Sequence, residues 1–357
     1  MKWRVQSIAP LCVVTMLGSV ALPAEWPRHT IDDTSRGADG VRLADANGDG
    51  RLDIATGWEE GGQVRVYFQP ETDRLREPWP AVTVGRVKSP EDAVLVDVDG
   101  DGNVDVLSAC EGRTKTVYIH WSPSDATRLM EAEAWRTEAV PATEGQHQWM
   151  YLLPVESRGD VGLRILAGSK SGALGWLIPG DAPRSLAHWK YEHVFDAGWI
   201  MSLQHSPRSE DAVIFSDRKG PRRGVWRLPL DPANAEATPL LRDLGEVMFL
   251  DAVSNSEIAV AAKPRRIWRL RREGENWTST SVDYPERYGT AKAVRMADVD
   301  LDGRADLVVT CEQANGPQSG VFWLSPPQAA DGAWQDHDIG GPEGVKYDRI
   351  ELIDLDA

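Results

Sequence analysis

Three Asp-rich turns contain regularly spaced side chains that are candidates for binding a metal ion. They lie within VRLADANGDGRLDIATG, AVLVDVDGDGNVDVLSAC and AVRMADVDLDGRADLVVTC. In each turn, oxygen-bearing side chains occupy positions 1, 3, 5 and 9, and glycine occupies position 6. Calcium is bound by carboxylate and amide oxygens at this kind of spacing, and the glycine permits a sharp turn. The pattern therefore predicts three calcium turns, with candidate ligands Asp45, Asn47, Asp49, Asp53, Asp97, Asp99, Asp101, Asp105, Asp298, Asp300, Asp302 and Asp306.

The spacing of these turns predicts further copies of the same unit. Asp97 lies 52 residues after Asp45, and Asp298 lies 201 residues after Asp97, which is close to four such steps. Three degenerate copies should therefore lie between the second and the third turn. Their ninth positions are occupied by Arg164, Ala212 and Glu257. Because these copies lack the acidic ligands, we expect them to bind no metal.

Each copy reads as four short strands that must position its turn. An alternating strand precedes the turn and an apolar strand follows it. A third strand has an aromatic residue late in it, and a fourth often opens with tryptophan. A four-stranded meander of about 50 residues is the size of one propeller blade. We expect these aromatic residues to pack between blades: Phe68, Trp79, Trp121, Trp135, Trp176, Trp189, Trp226, Trp268, Trp277, Trp323 and Trp334.

The whole pattern predicts an all-β fold, a seven-bladed β-propeller with six complete blades and an incomplete seventh. It forms a single domain over residues 26–357. The N-terminal WPRHTIDD reads as a fourth strand that would close the last blade, as propellers do to remove a free edge. DRIELIDLDA reads as the first strand of a seventh blade that stops at Ala357. We therefore expect the chain to be truncated within that blade.

The D-x-[DN]-x-D-G-x-x-D turns between two strands resemble the FG-GAP/VCBS repeats of integrin-α-like β-propellers. The resemblance covers essentially the whole mature chain, with the motif intact in three copies and degraded in three. It implies structural metal turns and a propeller that serves adhesion, carbohydrate contact or scaffolding. Some relatives are carbohydrate-active enzymes or are fused to them. The FG-GAP dipeptide itself is missing, so the resemblance does not extend to an integrin-like ligand mode.

Composition excludes several classes of protein. The chain has 357 residues, with 55 acidic and 39 basic side chains and a formal net charge of -16. Such an acidic balance is the opposite of what a nucleic-acid binder needs. A hydrophobic fraction of 41% with 26% charged residues is ordinary for a globular domain. Disorder and a multi-span membrane protein are therefore disfavoured.

The N-terminus reads as a signal peptide over residues 1–21. Lys2 and Arg4 precede an apolar run and then small residues, with cleavage after Ala21 or, alternatively, after Ala24. A short membrane anchor is the other reading, although the run is shorter than the ~20 residues a span needs. We therefore expect a secreted, periplasmic or cell-surface protein, most simply a monomer.

The remaining cysteines, Cys110 and Cys311, both follow a ninth-position aspartate by five residues. They thus hold equivalent places in two copies that are far apart in the repeat series. We expect them to be free thiols buried in second strands, although exported proteins usually oxidise cysteine pairs.

A candidate ligand face lies opposite the calcium turns, on the loops that enter each blade and those that join its second and third strands. Tryptophan beside acids and bases suits stacking on sugar rings and hydrogen bonding to hydroxyls. The alternative is solvated rim charges and packing aromatics. The candidates are Asp39, Trp58, Glu59, Asp92, Glu111, Arg113, Trp149, Lys170, Trp199, Asp217, Lys292 and Glu312, with Arg218, Lys219 and Arg265 beside them.

No catalytic motif emerges from the sequence. GSKSG places Lys170 where a nucleophile elbow needs serine, and the histidines lack metal-protease spacing. Two function classes remain. The first is an exported, calcium-stabilised binding or scaffold module for carbohydrate or a protein partner. The second is a polysaccharide lyase or hydrolase whose acids lie at the channel mouth, namely Asp39, Glu59, Asp92 and Glu111.

Overall fold

A computed structural model of the chain describes residues 26–355 except 157–161, 208–210, 232–235, 330–331, 343 and 345. The expected signal peptide lies outside these residues. The described part is all β, with strands in five sheets and no α-helix. Short 3-10 turns occur at Thr72–Arg74, Ala126–Arg128, Ala132–Ala134, Pro141–Thr143 and Leu186–His188.

The first two sheets are four-stranded antiparallel meanders in chain order, as the repeat predicts. The first contains β1 (Ala38–Ala44), β2 (Asp53–Trp58), β3 (Gln63–Tyr67) and β4 (Ala81–Gly85). The second contains β5 (Pro90–Val96), β6 (Asp105–Cys110), β7 (Thr116–Trp121) and β8 (Arg136–Ala139).

The third and fourth copies of the repeat share one six-stranded sheet. Two of its strands are sixteen residues long, and each pairs with different neighbours along its length. The first half of β10 pairs with β9, its second half pairs with β11, and the end of β11 pairs with β12. The strands are β9 (Gln148–Glu156), β10 (Leu163–Ile178), β11 (Lys190–His205), β12 (Ala212–Asp217), β13 (Gly224–Pro229) and β14 (Thr238–Leu241).

The last two sheets return to the four-stranded meander. One contains β15 (Glu246–Ser254), β16 (Glu257–Lys263), β17 (Arg266–Glu273) and β18 (Asn276–Val282). The other contains β19 (Thr290–Ala297), β20 (Asp306–Glu312), β21 (Val321–Ser325) and β22 (Gln335–Asp338).

The sheets form a propeller of five blades, so the prediction of seven is wrong. The repeat spacing counts turns, whereas the long strand β11 contains the fourth strand of the third copy and the first strand of the fourth copy, and so joins the two copies into one sheet. Residues 348–355, the described part of the segment predicted to begin a seventh blade, form no strand. Instead they span the last and first blades: the Thr310 hydroxyl donates to the carbonyl of Asp348 at 3.0 Å, and Gln69 Nε2 donates to the carbonyl of Leu355 at 3.2 Å.

The N-terminal segment also differs from expectation. Residues 26–37 form no strand and do not close the last blade. They lie against the first blade, where the Trp79 N–H donates to the carbonyl of Ile31 at 3.3 Å. The Tyr67 hydroxyl donates to Asp32 at 2.6 Å, and Arg65 forms an ion pair with the same carboxylate. The segment therefore packs beside the blade that follows it in the chain.

Burial falls from the axis of the propeller towards its rim. The second strands β6 and β12 are buried at every position, which explains why they read as continuous apolar runs. The outer strands β8 and β18 are largely exposed. Inner strands contact each other in turn, from β1 and β5 to β15 and β19. This arrangement brings the first strand of each copy to a common axis.

The prediction that the repeated tryptophans pack between blades is confirmed for some of them: Trp135 shares a core cluster with Val84 of the preceding blade, whereas Trp79 packs with Tyr67 of its own blade. Trp121, Trp176 and Trp226 are at most 7% exposed on their third strands. The tryptophans that open fourth strands donate their indole N–H to a carbonyl in the preceding loop: Trp79 to Leu75 at 3.1 Å and Trp189 to Pro183 at 2.8 Å. These rings are buried and their indole N–H groups are hydrogen-bonded, so the tryptophans have a structural role.

Candidate functional site

A cavity of about 320 Å³ lies where the inner strands meet, at one end of the propeller axis. Every blade and the C-terminal segment contribute to its wall. Most of the lining side chains are charged, which distinguishes it from the dry core between blades. They are Asp39, Gly40, Glu59, Glu91, Asp92, Glu111, Met150, Tyr151, Lys170, Trp199, Ile200, Met201, Arg218, Phe249, Lys292, Glu312, Lys346, Asp348 and Arg349.

One wall is an acidic cluster of Asp39, Glu59 and Glu91, which have carboxylate oxygens within 4.8 Å of one another. Burial, followed by repulsion from Asp39 and other carboxylates, raises the pKa of Glu91 to about 9. Burial and the nearby Asp348 raise the pKa of Asp39 to about 7. At neutral pH Glu91 therefore holds a proton, so this wall can donate as well as accept hydrogen bonds.

Lysines connect the acidic cluster to the rest of the cavity. Lys346 Nζ lies 2.9 Å from Asp348 and 3.5 Å from Asp39. Lys292 forms an ion pair with Asp348 and lies 3.7 Å from Glu312. These side chains alternate in charge, so most of the buried charge is neutralised locally.

Trp199 forms a second wall together with cations. Lys170 Nζ lies 4.3 Å and Arg218 Cζ 4.4 Å from the centroid of the indole ring. Lys219 Nζ is 5.2 Å from the same centroid. Cation–π contacts thus occupy the ring that the sequence suggested for stacking on sugars. Lys170 also pairs with Glu111 at 3.3 Å, which joins this wall to the acidic side.

A bidentate ion pair fixes the inner strands beneath the cavity. Arg42 Nε donates to Asp92 Oδ1 at 2.8 Å, and its Nη2 donates to Oδ2 at 2.6 Å. The Leu152 N–H donates to the same carboxylate at 2.9 Å, and the Arg42 guanidinium lies 4.1 Å from the ring centroid of Tyr151. The pair therefore connects β1, β5 and β9, and the carboxylate of Asp92 has a structural role.

The structure brings together eight of the twelve predicted ligand-face residues at the cavity. Trp58 is buried, with its N–H donating to the Tyr67 hydroxyl at 2.8 Å. Trp149 lies in the core. Asp217 is buried and accepts the backbone N–H of Trp199 at 2.7 Å. The eight are Asp39, Glu59, Asp92, Glu111, Lys170, Trp199, Lys292 and Glu312, and Arg113 is exposed outside the cavity.

Sequence reasoning missed several residues of the cavity. Glu91 immediately precedes the predicted Asp92, so the entry to β5 carried a signal that could have found it. Asp348 and Arg349 lie in the segment that was interpreted as a seventh blade, and Lys346 lies just before it. Only its contacts with the last and first blades turn that segment into part of the wall.

The Asp-rich turns connect the first and second strands at the ends that lie away from the cavity. The three turns share one geometry. The position-6 glycines Gly50, Gly102 and Gly303 have φ values of 85°, 88° and 86°, which only glycine adopts readily. Each donates its N–H to the position-1 carboxylate at 2.8–2.9 Å. Oxygens of Asp97, Asp99 and Asp101 lie within 4.8 Å of one another, as do those of Asp298, Asp300 and Asp302.

The ninth-position aspartates begin the second strands and hold the turns closed. Asp53 accepts the N–H of Ala46 at 2.9 Å and that of Gln69 at 2.9 Å. Asp105 is bonded equivalently, to Val98 at 3.2 Å and Ser122 at 2.8 Å. The remaining donor set consists of hard carboxylate and amide oxygens, which fits a calcium ion.

Both expected thiols are free and buried. Cys110 ends β6, and Cys311 lies near the end of β20. Burial raises the pKa of each thiol to about 12. The prediction of free thiols in second strands is confirmed. Within the described residues, no helix has the length and apolar character that a membrane span requires.

A family model described as FG-GAP-like repeat matches residues 45–108, a span that contains the first two Asp-rich turns. Together with the propeller arrangement of the sheets, this match supports an FG-GAP β-propeller. The resemblance drawn from the sequence is thereby confirmed. No curated protein matches the chain.

Two solved structures that are similar to this chain have very different sequences. A catalytically inactive virginiamycin B lyase from Staphylococcus aureus with quinupristin is 10% identical, with 86% of each chain covered and a TM-score of 0.51. That likeness shows the fold alone. A proposed 6-phosphogluconolactonase from Bacteroides fragilis is 14% identical, with 67% of this chain and 68% of that chain covered. Its TM-score of 0.43 is too low to support an argument.

Proposed function

We propose that this FG-GAP β-propeller is an exported, calcium-stabilised binding module whose ligand site is the axial cavity. The observation that carries the proposal is the cavity itself. It collects charged side chains of both signs from every blade, at a place where the fold alone would favour apolar packing. Small-molecule sites are preformed concavities in which convergent polar groups fix the orientation of the ligand, and here such groups make up most of the wall.

Two further features support the exported, calcium-bound form. The Asp-rich turns offer hard oxygen donors in three copies, and extracellular calcium modules bind at roughly 10⁻⁴ to 10⁻³ M. Lys2 and Arg4 ahead of an apolar run are typical of a secretory signal. N-terminal sequencing of the exported protein should find a start at residue 22 or 25.

A glycan array with calcium-loaded protein tests the binding function. Glu59→Gln changes the charge of the acidic wall with almost no change in shape and should reduce the array signal. Glu60→Gln is the matched control, because the neighbouring Glu60 is exposed and 3.9 Å from Arg36, outside the cavity. Ligand binding that is equal in both variants would show that the cavity is not the site.

The second candidate is a polysaccharide lyase or hydrolase. The observation that favours it is a protonated carboxyl, Glu91, beside the carboxylates Asp39 and Glu59 within 4.8 Å. A proton donor beside a carboxylate is the arrangement that glycoside cleavage uses. Product analysis of each array hit separates the two functions, because only an enzyme shortens the glycan. An enzyme that uses Glu91 as its proton donor should lose this activity in Glu91→Gln.

A further inference from the structure

Two buried hydrogen-bond donors in the cavity wall have no acceptor among the described residues. They are Nε1 of Trp199 and Nη1 of Arg349, whose side chain is only 9% exposed. Arg349 uses its Nε to donate to Glu351 at 3.1 Å, which leaves Nη1 unsatisfied. An unsatisfied buried donor costs about 1–3 kcal/mol, and native proteins rarely leave two in one cavity. An acceptor supplied by a ligand would satisfy them.

The surroundings of Trp199 indicate what kind of acceptor is missing. Lys170 and Arg218 flank the indole ring, and each forms an ion pair through one nitrogen, Lys170 with Glu111 at 3.3 Å and Arg218 with Glu246 at 2.9 Å. Their remaining N–H groups are donors only. A set of indole, ammonium and guanidinium donors recognises a carboxylate better than a neutral hydroxyl, because charge-assisted hydrogen bonds are about twice as strong.

The acidic wall would bind a different part of the same ligand. Asp39 and Glu59 offer acceptors, and protonated Glu91 adds a donor. Hydroxyl groups both donate and accept, so they satisfy such a mixed wall. The cavity volume of about 320 Å³ is at the lower end of the range for small-molecule sites, so it admits one sugar ring more readily than a long segment.

We propose that the cavity binds a uronate, the carboxylate-bearing sugar ring of an acidic glycan. Its carboxylate meets Trp199 Nε1 between Lys170 and Arg218. Its hydroxyls face Asp39, Glu59 and Glu91, and a further acceptor of the ligand meets Arg349. This inference rests on the proposed binding function and specifies its ligand class.

Calorimetric titration with matched pairs of probes tests the inference. Digalacturonate is compared with its methyl ester, and a glucuronate disaccharide with the corresponding neutral disaccharide, all at one calcium concentration. The acids should bind at least tenfold more tightly than their neutral partners. Trp199→Phe keeps an aromatic ring but removes the N–H together with the pyrrole part of the indole. It should weaken uronate binding about tenfold or more, the size of one hydrogen bond to a charged group, and weaken neutral probes by less.

Lys170→Gln provides a second variant if Trp199→Phe fails to fold, as judged by circular dichroism and melting. It should weaken the acids and not the esters, whereas Glu60→Gln should change neither. Equal binding of acids and neutral partners, or uronate binding that survives both variants unchanged, overturns the uronate assignment. In that case the binding function survives if array hits still depend on Glu59. No cavity-dependent binding of any glycan overturns both.

Discussion

The Arg42–Asp92 ion pair should contribute strongly to the stability of the propeller, because it joins three inner strands that lie far apart in the sequence. The two side chains are only 11% and 2% exposed. Arg42→Met removes both guanidinium hydrogen bonds to Asp92, which keeps the hydrogen bond from the Leu152 N–H. An uncompensated buried charge costs about 3–5 kcal/mol. We expect a loss of unfolding free energy in that range.

Urea unfolding followed by tryptophan fluorescence in calcium buffer measures this loss. Combining Arg42→Met with Asp92→Leu removes both charges, so the double variant should lose less than the sum of the single variants, by about 1–3 kcal/mol. Arg74→Met is the matched control, since the Arg74–Glu77 pair is more than half exposed, and such pairs often contribute nothing measurable. A loss below about 1 kcal/mol for Arg42→Met, or additive effects of the two changes, would refute the reasoning.

Three further predictions address the turns, the thiols and the cavity. Millimolar calcium should raise the melting temperature relative to chelator, and Asp101→Ala should diminish this rise while the exposed Asp73→Ala should not; no calcium effect in the parent protein contradicts the metal assignment. Alkylation at pH 8 should spare Cys110 and Cys311 in the native mature protein and modify both after denaturation, as mass spectrometry will show. Because the folded-state pKa of Glu91 exceeds its unfolded value, the parent loses stability as pH rises from about 4.5 to about 9. The melting temperature of Glu91→Gln relative to the parent should therefore increase between pH 5 and 9, and a constant difference would contradict this.

The repeat unit and its strands could be predicted because their signals are local. Asp53, Asp105 and Asp306 each begin a second strand, at the boundary that the turn pattern indicates. The degenerate position Ala212 begins β12 in the same way. A positive-φ glycine and alternating side chains act over a few residues, so their pattern survives when the fold is unknown.

The number of blades could not be predicted because it depends on how copies associate. Nothing in the spacing distinguishes a loop that separates two sheets from a long strand, such as β11, that joins them. Likewise, the tail forms a cavity wall only through contacts such as that of Lys346 with Asp39, some three hundred positions away in sequence. Pairings at that separation leave no periodic signal.

The sequence allowed the face of the propeller that holds the cavity to be predicted, but it did not show which side chains there are available to bind a ligand. The loops expected to converge do so, because blade topology places their ends at one mouth. Which side chains stay available depends on partners that sequence does not show. Asp92 is bound by Arg42, and Trp199 is covered by Lys170 and Arg218. The raised pKa of Glu91 likewise reflects its burial, followed by three carboxylates from separate parts of the chain.

Hydrogen–deuterium exchange with and without a glycan-array hit tests most directly whether the axial cavity is the ligand site. The account predicts that ligand slows exchange in peptides covering the Lys170 region of β10, the Trp199 region of β11 and the tail around Arg349, all of which line the cavity. A peripheral groove lined by Leu240, Trp277 and their neighbours serves as the internal comparison. Protection confined to that groove, with unchanged exchange at the cavity peptides, would contradict the account.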